Sequence, residues 1–222
     1  MTIEKEMFII KEKKMKLTSQ RGKDIREEYV NVKEKEVCDV LNYEQKGGSR
    51  TKIDGSSETN NASIKNFSGQ STQVHLTTQK HFIKILGLDD NCGDFIKKFC
   101  GNEFININGN DRYYISEIEP YIVESFLNFL NNNKNKVIEL IICNGFQIDV
   151  VAYRNLKTNK IYQITYDEIL KKIEDCKWVA KKGGIHLKTP DGKTYFHLQR
   201  EGKKKKKNRY NVLFHIHKNI FL

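Results

Sequence analysis

The chain has 222 residues, of which 38% are hydrophobic and 30% are charged. That composition excludes a wholly disordered chain, and the length predicts a core that forms without disulfide bonds or a structural metal. The absence of a long apolar run and the charged first segment, MTIEKEMFIIKEKKMK, predict neither a membrane span nor a secretory signal. We expect residues 1–18 to form a charged arm and residues 19–222 to form a single domain.

Basic residues are concentrated near the end of the chain. The net charge is +11, and residues 160–222 contain 16 of the 39 Lys and Arg residues but only 6 of the 28 Asp and Glu residues. Such a local excess of positive charge indicates a polyanionic partner, because it supplies a strong and directed field. A solubilising segment is the alternative interpretation of the same charges.

Five cysteines are spread over the chain without a C-x-x-C pair. Their odd number and wide spacing disfavour a disulfide framework and a zinc site. Together with the absence of a signal, they predict buried thiols in a reducing compartment, which we take to be the bacterial cytoplasm.

Helices and short strands alternate in the first part of the chain. Residues 22–43 have helical spacing, and residues 50–54 and 62–67 are predicted to form two paired strands followed by a polar loop at 68–73. Further helices are predicted from Thr77 or Thr78 to Ile85, with Gly87 as the stop, from Asn91 to Cys100, and from Ser116 to Leu130. Residues 135–145 fit either a short helix or a buried strand.

The later part of the chain is predicted to be richer in strands. Residues 146–154 and 160–166 form an antiparallel pair, and residues 167–176 form a helix. Residues 185–189 and 193–200 form a hairpin around Pro190-Asp191-Gly192, and residues 211–217 alternate as a last strand. This order predicts an α/β fold, with a mixed central β-sheet flanked by helices and a basic hairpin near the C-terminus.

Three residues of the predicted strand pair at 50–67 can meet at one point. Asp54 ends the first strand, and Ser63 and Lys65 lie two apart on the second, so their side chains share a face. A carboxylate and the Ile64 carbonyl oxygen are ligands for a hard divalent cation, and a lysine beside them can orient water and offset negative charge on a phosphate. A turn aspartate with a solvated lysine is the alternative.

Two polar segments are candidates for DNA contact. Amides read base edges, while hydroxyl, Lys and Arg side chains bind phosphate, and a two-stranded ribbon fits the major groove. A loop without a ligand and an exposed basic turn are the alternatives. The candidate residues are Asn66, Gly69, Gln70, Ser71, Thr72, Gln73, Gln199, Arg200, Lys203, Lys204, Lys205, Lys206, Lys207 and Arg209.

The segments TKID, SIKNFSGQSTQVHL and GGIHLKTPDGKTYFHLQREGKKKKKNRYNVLFHI resemble small type II restriction endonucleases of the PD-(D/E)XK superfamily, which cut short sites. The resemblance implies a restriction-endonuclease-like core and Mg²⁺-dependent, sequence-specific cleavage of double-stranded DNA to 5′-phosphate ends. It also implies a cognate DNA methyltransferase as functional partner, and a monomer or homodimer. A structure-specific repair or recombination nuclease of the same superfamily and a non-catalytic DNA-binding module remain open.

By position, the resemblance assigns Asp54 to metal binding and Lys65 to catalysis. Ser63 occupies the position where the superfamily usually has an acid, and Gln199 and Arg200 match a Q-R pair that contacts DNA. The K-G-G-D sequence that follows this pair in the family is replaced here by residues 201–204, EGKK. The resemblance further implies a metal-binding carboxylate on the first helix, for which Glu34, Glu36 and Glu44 are candidates and Glu36 is preferred.

Overall fold

The computed structural model describes residues 32–46, 52–101, 113–200 and 211–222. The helices are α1 Lys35–Leu41, α2 Gln79–Leu86, α3 Asp90–Cys100, α4 Pro120–Asn132, α5 Lys134–Ile142 and α6 Tyr166–Ile173. The strands are β1 Glu44–Gln45, β2 Gly55–Ser56, β3 Asn61–Phe67, β4 Ser71–Thr78, β5 Val150–Asn155, β6 Ile161–Thr165, β7 Lys177–Lys181, β8 Gly184–Lys188, β9 Thr194–Arg200 and β10 Asn211–His217. None of the helices within these ranges is both long and apolar enough to cross a bilayer.

The first sheet is mixed and has the strand order β1-β2-β3-β5-β6. Strand β3 runs parallel to β5, whereas the other neighbours pair antiparallel. Helix α1 covers one face through a small apolar cluster of Val37, Cys38, Ile64 and Ala152. Gly55 permits this close approach, because a Cβ atom there would lie 2.8 Å from the Cys38 sulfur. Helix α1 is therefore packed directly against β3, which carries Lys65, and against β2, which follows Asp54.

The second sheet is antiparallel throughout, with the order β4-β10-β9-β8-β7. Its residues alternate between two faces, as the two-residue period of a strand requires. Phe196, Leu198, Phe214 and Ile216 are buried on the inner face, in one core with residues of the first sheet and of α2 to α6. The intervening polar residues occupy the opposite face, which we call the outer face.

Most of the predicted elements are confirmed. Helix α2 begins after Thr78, whose hydroxyl accepts a hydrogen bond from the His81 amide, and ends at Gly87. The pair β5–β6, the hairpin β8–β9 and strand β10 lie where the patterns predict them. Residues 135–145, which fitted two interpretations, lie mostly in helix α5. The five cysteines are buried free thiols, as predicted.

Other predictions are wrong in detail. The segment at 68–73 is not wholly a loop, because strand β4 begins at Ser71 and pairs along its length with β10. A strand is predicted at 50–54, but its described part, residues 52–54, is not in a strand, and β2 starts only after Asp54. Helix α4 begins at Pro120 rather than Ser116, since proline suits the first helical position. The predicted arm at 1–18, the helix before residue 32 and the Gly47-Gly48 turn lie outside the described residues.

Candidate active site

Asp54 lies where the pairing between β2 and β3 stops. Its backbone N–H donates to the Ala62 carbonyl at 2.9 Å, which is the last contact of that ladder before the chain diverges. The next free backbone N–H of β3 on this side is that of Ile64, and it donates to the Asp54 carboxylate oxygen Oδ2 at 2.6 Å instead of to a strand carbonyl. The same oxygen accepts the Ser63 hydroxyl at 3.3 Å and the Lys65 ammonium at 3.4 Å. The structure therefore brings Asp54, Ser63 and Lys65 together around one carboxylate oxygen.

The Ile64 carbonyl oxygen faces the same point. Alternate carbonyls of a strand point to the same side, and the Ala62 carbonyl already faces Asp54. The Lys65 ammonium donates to the Ile64 carbonyl at 3.1 Å, so it lies between two oxygens, one of them charged. The Asp54 and Lys65 side chains are 14% and 16% exposed, so the pair is largely desolvated yet reachable from solvent.

Glu34, at the start of α1, is a carboxylate whose pKa is affected by the charges of this site. Burial, followed by the negative charge of Asp54, raises the pKa of Glu34 to about 7, while the positive charge of Lys65 opposes the shift. Glu36 instead forms an ion pair with Arg154, and Glu44 pairs with Lys46 at 2.6 Å. Glu34 is therefore the candidate carboxylate whose pKa is affected by the charges of Asp54 and Lys65, whereas the carboxylate of Glu36 is paired with Arg154.

Lys52 is a further charged residue near the site, and the sequence pattern did not single it out. Its ammonium donates to the carbonyl oxygens of Val74 in β4 and, at 3.2 Å, of Ile141 in α5. Burial, followed by the charge of Lys65, lowers the pKa of Lys52 to about 7, whereas Asp54 opposes the shift. Val74 is the extra residue of a β-bulge against β10, so Lys52 satisfies a carbonyl at an interruption of the ladder.

The predicted DNA-contact residues lie in several places. Ser71 and Gln73 pair with His217 and His215, and Gln199 pairs with Leu213, so all three lie on the outer face of the second sheet. Gly69 and Gln70 are exposed in the connection between β3 and β4, Asn66 is half-buried in β3, and Thr72 points to the inner side of β4. Arg200 ends β9. Lys203, Lys204, Lys205, Lys206, Lys207 and Arg209 lie outside the described residues.

No protein-family model matches the chain, and no curated protein is significantly similar to it in sequence. Among solved structures, the crystal structure of restriction endonuclease MspI in complex with its cognate DNA is similar, with a TM-score of 0.50 over 89% of this chain and 80% of that chain. The chain has a restriction-endonuclease fold. The sequence identity to this restriction endonuclease is 12%, so the likeness concerns the fold alone. The roles of individual residues in the site rest on their geometry in this chain.

Proposed function

We propose that this protein is a type II restriction endonuclease that hydrolyses duplex DNA at a specific sequence, with Mg²⁺ as cofactor and 5′-phosphate ends as product. One observation carries the proposal. Within a restriction-endonuclease fold, the carboxylate of Asp54, the carbonyl of Ile64 and the ammonium of Lys65 converge on one point of a mixed sheet, where the pairing of β2 with β3 ends. Asp54 and Lys65 are also the residues that the sequence resemblance assigns to this chemistry.

The residues at this point fit Mg²⁺. Mg²⁺ prefers oxygen ligands and usually keeps several waters, so one or two carboxylates suffice. In the part of the chain that the structure describes, no group of three or more His, Cys, Asp or Glu residues is placed to hold a metal. Asp54, the Ile64 carbonyl and Glu34 would hold the ion, which supplies positive charge that activates water and polarises the phosphate.

The side chains of the protein have separate tasks in this proposal. Asp54 orients the Lys65 ammonium and, through the Ile64 amide, fixes the position of the β3 backbone. Lys65 orients the attacking water and offsets the negative charge that grows on the pentacoordinate phosphorus. Ser63 occupies the position where the superfamily usually has an acid. Its hydroxyl donates a hydrogen bond to the Asp54 carboxylate and keeps that carboxylate in one orientation. The buried pair is pre-organised, so little rearrangement precedes reaction.

The test is a plasmid digest. The wild-type protein should convert supercoiled plasmid to discrete fragments with Mg²⁺ and leave it intact with EDTA. A smear, or nicking confined to branched DNA, would point to a structure-specific nuclease. Binding that is unchanged by EDTA, without cleavage in Mg²⁺ or Mn²⁺, would point to a DNA-binding module and would refute the proposal.

A DNA methyltransferase that protects the same sites in the bacterial cytoplasm is the expected partner.

A further inference from the structure

The outer face of the second sheet is unusually poor in acids. None of the five strands of this sheet contains Asp or Glu, all five being within the described residues. Strands β7 and β8 place Lys177, Lys181 and Lys188 on this face, because Lys177 pairs with Lys188, and Lys181 with Gly184. Lys177 and Lys181 are exposed, and neither forms an ion pair with a described residue. The strands of this sheet therefore bring positive but no negative side-chain charge to the face.

A row of polar side chains crosses this face from strand to strand. Gln73 pairs with His215, His215 with His197, and His197 with His186. Their side chains are neighbours, because directly opposed residues project to the same face of a sheet. The rings of His197 and His215 lie 4.8 Å apart, and those of His186 and His197 lie 5.2 Å apart. The row of polar side chains therefore crosses four neighbouring strands, β4, β10, β9 and β8.

Hydrogen bonds fix the centre of the row. His197 Nε2 lies 3.0 Å from the Gln199 amide oxygen, which can only accept, so Nε2 carries the proton. His197 Nδ1 therefore accepts from His217 Nε2 at 2.8 Å. Burial, followed by the neighbouring His197 ring, lowers the pKa of His186 and His217 to about 4. The imidazoles of His186 and His217 are thus neutral near pH 7, and the lysines carry positive charge on the face.

The row begins beside the candidate active site. Gln73 precedes Val74, whose carbonyl accepts the Lys52 ammonium, and Lys52 lies two residues before Asp54. The face therefore extends from the neighbourhood of Asp54 to the exposed lysines of β7. An extended anion with evenly spaced charges fits such a strip, because phosphate contacts along a duplex are made by Lys side chains and by neutral N–H donors.

We propose that the outer face of the second sheet is a binding surface for the sugar-phosphate backbone of duplex DNA, in which Lys177, Lys181 and Lys188 contact phosphates beside the row of Gln73 and the histidines. This inference rests on the proposed function, and it adds a contact surface on the second sheet, whereas Asp54 and Lys65 belong to the first. The lysines give affinity without sequence preference, and the polar row supplies hydrogen-bond donors and acceptors. DNA bound to this face would reach the Asp54–Lys65 site across β4, the strand at the edge of the second sheet.

A lysine footprint tests this surface directly. The wild-type protein is treated with formaldehyde and a hydride reagent, in EDTA, with and without a duplex of about two helical turns, and methylation is measured at each lysine by mass spectrometry. Lys177, Lys181 and Lys188 should be protected severalfold by the duplex. Lys97 is the control, because it lies on α3, which packs against the inner face of the same sheet. Protection no greater than that of Lys97, in protein that binds the duplex, would overturn the inference.

A matched pair of variants gives a second measurement. Lys177→Glu/Lys181→Glu should weaken binding of the labelled duplex by at least about tenfold and lower the slope of log affinity against log salt by roughly two. Lys97→Glu should change neither quantity. Plasmid cleavage by the wild type, with unaltered binding by the double variant, would reject this surface and leave the proposed function intact. Failure of the wild type to bind any duplex would instead reject the proposed function.

Discussion

Replacing Glu34 by Gln tests whether a second carboxylate is held close to Asp54. The pKa of Glu34 is raised from 4.5 to about 7 by burial and by the charge of Asp54. A carboxyl with a raised pKa binds more protons in the folded than in the unfolded protein between those two values. The free energy of unfolding should therefore fall as pH rises from 4.5 to about 7, and this contribution should stay lost at higher pH.

The size of the effect follows from the shift. At roughly 1.4 kcal/mol per pH unit, the raised pKa corresponds to about 3 kcal/mol, and solvent screening of a half-buried side chain reduces the expected value to about 2 kcal/mol. Glu34→Gln removes the charge but keeps the shape of the side chain. In EDTA at about pH 8 the variant should therefore be more stable than the wild type by about that amount, although it loses a proposed metal ligand.

Urea unfolding from about pH 5 to about pH 8 measures this difference. The stability of Glu34→Gln relative to the wild type should increase across that range. Glu36→Gln is the matched control, because it makes the same change at a half-exposed carboxylate that contacts Arg154. Added Mg²⁺ should stabilise the wild type more than Glu34→Gln. A constant difference between Glu34→Gln and the wild type at all pH values would refute the reasoning.

Three further outcomes are expected. Asp54→Asn and Lys65→Met should each reduce plasmid cleavage by at least about 10³-fold while retaining duplex binding, whereas Lys46→Met should cleave normally; normal cleavage by Lys65→Met would remove it from the mechanism. The free energy of unfolding of the wild type should rise between about pH 7 and about pH 10, because the pKa of Lys52 is lowered to about 7 in the folded protein and the unfolded chain binds the proton more tightly. Lys52→Met should lack most of that rise when unfolding by urea is measured at several pH values. Burial raises the pKa of the Cys38 thiol to about 11, so Cys38, like the other buried cysteines, should react with a thiol reagent only after unfolding.

The sequence predicted the centre of the site because its members are close in the chain. Asp54, Ser63 and Lys65 belong to one strand-turn-strand unit, so the two-residue period of β3 is enough to place the serine and the lysine on one face. The choice between Glu34 and Glu36 could not be made from the sequence, because it depends on the rotation of α1. That rotation is set by the contacts of Val37 and Cys38 with the first sheet, which no local pattern contains.

The second sheet could be predicted only in part. The apolar alternation of β9 and β10 marked those strands, but Ser71–Thr78 is mostly polar and was assigned partly to a loop. Pairing with β10 makes it a strand, and only Val74 and His75 are buried in it. Lys52 could not be predicted either, because its acceptors Val74 and Ile141 are 22 and 89 residues away.

The most direct test of the central claim is a crystal structure of the protein with a cognate duplex and Ca²⁺. Ca²⁺ binds oxygen ligands as Mg²⁺ does, and we expect that it does not support cleavage, so the intact complex can be crystallised. We expect Ca²⁺ at about 2.3–2.6 Å from the Asp54 carboxylate and the Ile64 carbonyl, with a DNA phosphate oxygen among its ligands and Lys65 beside that phosphate. Ca²⁺ bound at other carboxylates, or a duplex whose nearest phosphate lies far from Asp54 and Lys65, would contradict it.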